Sequence, residues 1–98
     1  MWLNFRSTVL FVTKIEIGDA VLFQELQDQV VLLNMANQRF YGLNDVGATI
    51  WKSLLEFGNA AEAADRLRET YDVDETVIRA DIEVLVRDLL SAGLLKTA

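Results

Sequence analysis

Residues 39–51 read RFYGLNDVGATIW, and this stretch joins a short β-strand to a helix with no intervening loop. Asn44 is a good N-cap for a helix that runs to about residue 57, and Gly58 suits the C′ position. A strand joined so tightly to a helix has little chain available to cover its outer edge. The stretch therefore raises the question of what satisfies the free backbone groups along residues 39–43.

Two more strands are predicted upstream of this stretch. Residues 20–26, AVLFQEL, and residues 29–34, QVVLLN, are rich in β-forming side chains, and residues 27–28 between them suit a tight turn. Residues 35–38 make a second turn before the strand at 39–43. The pattern predicts three antiparallel strands in a meander.

Two more helices are predicted downstream. Asn59, with Glu62 three residues later, has the residue types of an N-cap and its N3 partner, and the helix runs to about Tyr71. Residues 74–92 begin with an aspartate N-cap and are followed by Gly93, which suits the end of a third helix. The predicted fold class is therefore α+β, a three-stranded antiparallel sheet followed by three helices.

The composition of the chain excludes several classes of catalytic and metal site. The 98 residues suit one domain, 52% are hydrophobic, and neither cysteine nor histidine is present. Ser-His and Cys-His nucleophiles, disulfides, and thiolate or imidazole metal sites are therefore excluded. The five glycines match no phosphate-binding motif, and the carboxylates are scattered over solvated helix faces. We predict a protein that is not an enzyme and that needs no cofactor or metal.

The N-terminal residues are predicted to be a short segment that leads into the domain. Residues 1–13 are mildly apolar but lack a basic leader and a cleavage site, so we expect a lead-in there and a domain over residues 14–98. No apolar run approaches the length of about 20 residues that a membrane-spanning helix needs. We therefore expect a cytoplasmic protein with no membrane partner.

The third helix carries two stripes at helical spacing. One is an ordinary core face. The other, rotated by about one residue, alternates apolar and acidic side chains: Val77, Asp81, Val84 and Asp88. It can be a half-exposed boundary row, or it can be one wall of a groove that holds an apolar and basic peptide.

Three residues within the quoted stretch have structural interpretations. Trp51 is expected to anchor the core, because large aromatic side chains bury most of their area. Gly47, in the first helical turn, permits tight packing of helix on strand. Gly42, inside a strand, is typical of a bulge or of the close approach of another backbone.

Together these residues resemble a known family. The run Leu32-Leu-Asn34, then Phe40-Tyr-Gly-Leu-Asn44, then Gly47-Ala-Thr-Ile-Trp51 is similar to the PqqD-like family, and the likeness continues to Leu89-Leu-Ser-Ala-Gly-Leu-Leu95. It covers about residues 14–95. The resemblance implies a small winged helix-turn-helix-like domain that binds the leader segment of a ribosomally made precursor peptide. It also implies a partner enzyme, such as a radical-SAM enzyme or a leader peptidase, to which the leader is presented.

The resemblance also implies where the leader binds. It is expected to add as a strand beside residues 39–43, because an exposed edge offers unpaired N–H and C=O groups. The expected peptide-binding residues are Arg39, Phe40, Tyr41, Gly42 and Leu43 on the strand, and Val77, Asp81, Val84, Leu85 and Asp88 on the third helix. Strand alternation and the resemblance assign Phe40 to the groove and Tyr41 and Leu43 to the core. The two aspartates are expected to pair with lysine or arginine of the leader.

Two alternatives remain open at this point. A DNA-binding winged helix has the same order of elements, but residues 74–92 carry five acids against two bases and the net charge is −6, which disfavours nucleic acid. A dimerising module without a peptide partner would use the free strand to pair with a second copy.

Overall fold

The computed structural model describes residues 13–97, so the predicted lead-in lies outside the described residues except for Thr13. The chain forms an α+β structure in which a sheet precedes three helices, as the sequence predicted. The elements are β1 (Ile15–Ile17), β2 (Val21–Leu26), β3 (Gln29–Asn34), β4 (Arg39–Leu43), α1 (Asp45–Phe57), α2 (Ala60–Thr70), α3 (Glu75–Ser91) and β5 (Leu95–Thr97).

The main sheet is the predicted antiparallel meander, with strand order β2-β3-β4. Its register is unbroken, with Leu32 opposite Tyr41 and Val30 opposite Leu43. Because side chains alternate along a strand, Val30 and Leu32 point inward and are fully buried. The opposite face of the sheet is open to solvent and carries the exposed side chain of Phe40.

Side-chain caps set the start of each helix. The Oδ1 atom of Asn44 accepts from the amide of Gly47 at 2.9 Å and begins α1. The corresponding oxygen of Asn59 accepts from the amide of Glu62 at 3.0 Å and begins α2. Asp74 caps α3 in the same way. The three predicted N-caps are confirmed.

The core lies between the inner face of the sheet and the three helices. Trp51 of α1 is fully buried and meets the ring of Phe23 edge-on, with ring centroids 5.5 Å apart. This confirms its predicted role as an anchor. The fully buried side chains of Ile82 and Val86 bring α3 into the same core.

A second, two-stranded sheet of β1 and β5 was not predicted. Each strand has only three residues, too few to show a hydrophobic period. Beside it, the amide of Gly18 donates to the carbonyl oxygen of Leu94 at 3.0 Å, and Lys96 donates to the carboxylate of Asp19. That bond raises the pKa of Lys96. The two ends of the described chain are thereby held together.

The helices are too short or too polar for a bilayer. Within residues 13–97, none is both long enough and apolar enough to cross a membrane.

Candidate peptide-binding groove

The strand β4 lies at an edge of the main sheet. Across residues 13–97 its only pairing is with β3, and no strand within that range pairs with the backbone groups on its other side. The strand β2 is the opposite edge. The two edges differ in their surroundings: β4 ends at an apolar groove, whereas the cavity beside the end of β2 has a mainly polar surface.

The groove runs between α3 and the corner where β4 enters α1. Its volume is about 440 Å³. One wall comes from the corner and the other from α3, and the lining residues are Leu43, Asn44, Val46, Gly47, Ile50, Asp81, Val84, Leu85 and Asp88. The surface is mainly hydrocarbon with carboxylates on the α3 side, which suits an extended peptide with apolar and basic side chains.

The packing of α3 explains why this space is open. The helix packs chiefly against α2 and β5, while α1 packs against the sheet and α2. Buried Ile78, Ile82 and Leu89 hold α3 to this core along one stripe. The neighbouring stripe faces the groove, and its Val84 is 61% exposed, which is high for a valine beside an apolar wall.

The groove carries two acidic side chains. Asp81 and Asp88 lie on α3 on either side of Val84, seven residues apart, which is about 10 Å along a helix. The nearby ion pair on α3 joins Arg87 to Glu83 at 3.0 Å. In the described part of the chain, no salt bridge reaches either groove aspartate, so both carboxylates are available to a cationic ligand.

Five of the predicted site residues line this groove: Leu43, Asp81, Val84, Leu85 and Asp88. Leu43 is buried and belongs to the groove wall formed by the corner of β4 and α1. Leu85 is half-buried on the α3 side.

The other predicted site residues lie elsewhere. Arg39 and Tyr41 follow the inward-facing alternation of β4, Arg39 at its far end and Tyr41 half-buried. Phe40, which was assigned to the groove, lies on the outer face of the sheet and is 72% exposed. Gly42 shares that outer face. Val77 is exposed on α3 one turn before Asp81 and does not contribute to the groove lining.

Four lining residues were not assigned to the site from the sequence: Asn44, Val46, Gly47 and Ile50. The spacing of Val46 and Ile50, four residues apart, indicates one helix face but does not say what that face meets. For Gly47 the structural interpretation is confirmed, because a Cβ there would lie 3.2 Å from the Cβ of Leu43.

Among residues 13–97, no group of three or more carboxylate side chains is placed to hold a metal ion.

Comparison with known proteins gives one matching family model and two similar solved structures. The sequence model of the family described as Coenzyme PQQ synthesis protein D (PqqD) matches residues 29–95. No curated protein sequence matches the chain. Two solved structures are similar over most of their length.

The first is TbiB1 in complex with the TbiA(beta) leader peptide. It is 35% identical with a TM-score of 0.76, and the match covers 83% of this chain and 94% of that one. The second is lasso peptide synthetase B1 complexed with the leader peptide. It is 26% identical with a TM-score of 0.77, and the match covers 85% of this chain and 98% of that one.

Proposed function

The chain belongs to the PqqD family, and from that premise we propose that it is a non-catalytic adaptor for a precursor peptide. It binds the leader segment of a ribosomally made precursor and presents it to a maturation enzyme, such as a radical-SAM enzyme or a leader peptidase, in the cytoplasm. Both similar solved structures contain a leader peptide, which supports the proposal. The observation that carries it is the open edge of β4 beside the groove of α3.

The leader adds to β4 as a fourth strand of the main sheet. Alternate residues of β4 direct their N–H and C=O groups away from β3, and a guest strand completes those hydrogen bonds with little regard to its sequence. The side chains of the guest that face inward lie over Leu43 and against Val84 and Leu85. Backbone pairing thus supplies affinity, and the groove supplies preference for apolar side chains.

The charges of the groove select the leader further. Asp81 and Asp88 flank the apolar centre of the groove, so a leader with lysine or arginine near its apolar groove-facing residue fits best. The same acids disfavour a nucleic acid, because duplex binding depends on neutralising phosphates. A clear retention of duplex DNA in a gel-shift assay at low salt would contradict this part of the proposal.

The test is a titration that distinguishes strand addition from other modes of binding. Two probes are used: the TbiA(beta) leader peptide and the N-terminal half of whichever short open reading frame is found beside this chain's gene. Each is also prepared with single N-methyl groups placed in turn along its backbone. An added strand bonds to its neighbour through every second residue, so methylation should weaken binding with a period of two.

Two results would overturn the proposal. The first is an absence of binding to both leaders. The second is a 1:1 complex whose affinity is unchanged by every N-methyl substitution. Light scattering, run with and without the peptide, addresses self-association: a dimer that ignores both leaders favours the dimerising module instead.

A further inference from the structure

Gly42 is the fourth of the five residues of β4, and the described chain shows no feature at this position that requires glycine. Its φ lies outside the left-handed region, and the pairing of Val31 with Gly42 continues a regular register, so there is no bulge. No atom of residues 13–97 lies within 4 Å of the position that its Cβ would occupy. A glycine inside a strand nevertheless destabilises that strand relative to alanine, because its backbone loses more conformational freedom on folding.

The missing side chain leaves a gap on the outer face of the sheet. Gly42 shares this face with Phe40, two residues earlier on β4, and with Val31, directly across on β3. Phe40 is 72% exposed, and Val31 is half-buried. The gap therefore has an aromatic ring on one side and a branched apolar side chain on another, and its remaining side is the open edge of β4.

A guest strand on that edge would bring a side chain to this gap. Residues directly opposite each other on neighbouring strands point to the same face, so the guest residue opposite Gly42 faces outward. Diagonal neighbours two residues away are within reach of aromatic side chains. An aromatic ring laid over an edge glycine compensates for the packing that the glycine lacks.

We propose that the guest residue opposite Gly42 is aromatic and that its ring covers Gly42, packing against Phe40 and Val31. The inference rests on the proposed function and adds a second point of selection to it. The groove reads the inward-facing side chains of the leader, and the gap at Gly42 reads one outward-facing side chain. Selection at Gly42 needs no charge and lies on the opposite face of the sheet from Asp81 and Asp88.

The experiment uses a positional scan of the leader peptides named above, with alanine and phenylalanine at each position in turn. It is run on the wild-type chain, on Gly42→Val and on Gln24→Val. Gln24 lies opposite Val31 on its other side, so the control adds the same side chain to the same face at the far edge of the sheet. We expect one peptide position at which phenylalanine binds about fivefold more tightly than alanine to the wild-type chain.

The two variants should differ in their preference for phenylalanine. Gly42→Val fills the gap and should abolish the preference for phenylalanine at that position, while Gln24→Val should keep it. Gly42→Val should also be at least as stable as the wild type in thermal unfolding, because its new methyl groups meet open space and a branched residue favours a strand. In the wild-type complex, a ring over Gly42 should move its Hα proton resonances upfield, a readout that needs no variant.

The outcomes distinguish this inference from the proposed function. If N-methylation shows a period of two but no position prefers phenylalanine, the aromatic contact is wrong and strand addition stands. A phenylalanine preference that survives in Gly42→Val, or Hα resonances that do not move, also overturns it. A chain that binds neither leader overturns both proposals.

Discussion

The side-chain amide of Asn34, the last residue of β3, donates a 2.8 Å hydrogen bond to the carbonyl oxygen of Ala92, just after α3. Asn34 is buried, and its Oδ1 atom accepts from the amide of Ala36 at 2.9 Å. One side chain thus ties the turn after β3 to the end of the groove helix. This link fixes one end of α3 relative to the sheet, and so it helps set the width of the groove.

Removing this link should destabilise the whole protein. Asn34→Ala leaves the carbonyl oxygen of Ala92 without its side-chain donor and deletes a cap in the turn, so the free energy of unfolding should fall by about 2 kcal/mol. Urea denaturation measures it. Asn37→Ala is the matched control, because Asn37 also accepts from a backbone amide, that of Arg39, but is exposed. Equal losses in the two variants would contradict a special role for Asn34.

The charge of the groove should control leader affinity. Reversing Asp81 and Asp88 together to lysine should weaken binding of a leader with basic groove-facing residues at least about tenfold, equivalent to about 1.4 kcal/mol. Isothermal titration measures the change. The control reverses Asp28 and Asp72, two exposed acids outside the groove, with the same change in net charge. Unchanged affinity in the groove variant would mean that the acidic stripe is only solvated surface.

The apolar side chains of α3 should contribute to leader affinity where they line the groove, and much less where they lie outside it. Val84→Lys replaces an apolar groove side chain with a cation, which removes an apolar contact and repels a basic leader, so leader affinity should fall about tenfold or more. Val77→Lys makes the same change on an exposed residue of the same stripe. If Val77→Lys weakens binding as much as Val84→Lys, the leader extends along α3 past the groove.

A glycine substitution in the turn between β2 and β3 should stabilise the protein. Gln27 has a φ of 54°, a left-handed conformation that costs a non-glycine residue about 1 kcal/mol or more. Gln27→Gly should therefore raise the melting temperature by a few degrees. Asp28→Gly, in the same turn but without a positive φ, should lower it or leave it unchanged. A gain for Asp28→Gly equal to that of Gln27→Gly would argue against backbone strain as the cause.

The sequence predicted the regular parts of the fold well because their signals are local. Asn44, Asn59 and Asp74 are N-caps, and a cap satisfies amides only two or three residues away. The strands β2 and β3 are six residues long, enough for their composition to show. The short strands β1 and β5 were missed because each is stable only through the other, at the opposite end of the domain.

The site was predicted less completely for the same reason. The alternation of Val84 with Asp81 and Asp88 indicates a half-exposed face, and the structure places that face across the groove from Leu43. The outward position of Phe40 follows from strand alternation, but the groove lies on the other face of the sheet. Val46 lines the groove because of the angle between β4 and α1, and sequence periodicity does not predict that angle.

The sequence by itself determined which segments become strands and helices, where each helix begins, and that His- and Cys-based chemistry is absent, because these depend on residue types and near neighbours. The tertiary structure decided which strand edge borders a groove and which side chains line it. That choice arises from how α3 packs on α2 and β5, tied by the bond from Asn34 to Ala92, fifty-eight residues apart. Such long-range contacts depend on the whole core at once and leave no periodic signal along the chain.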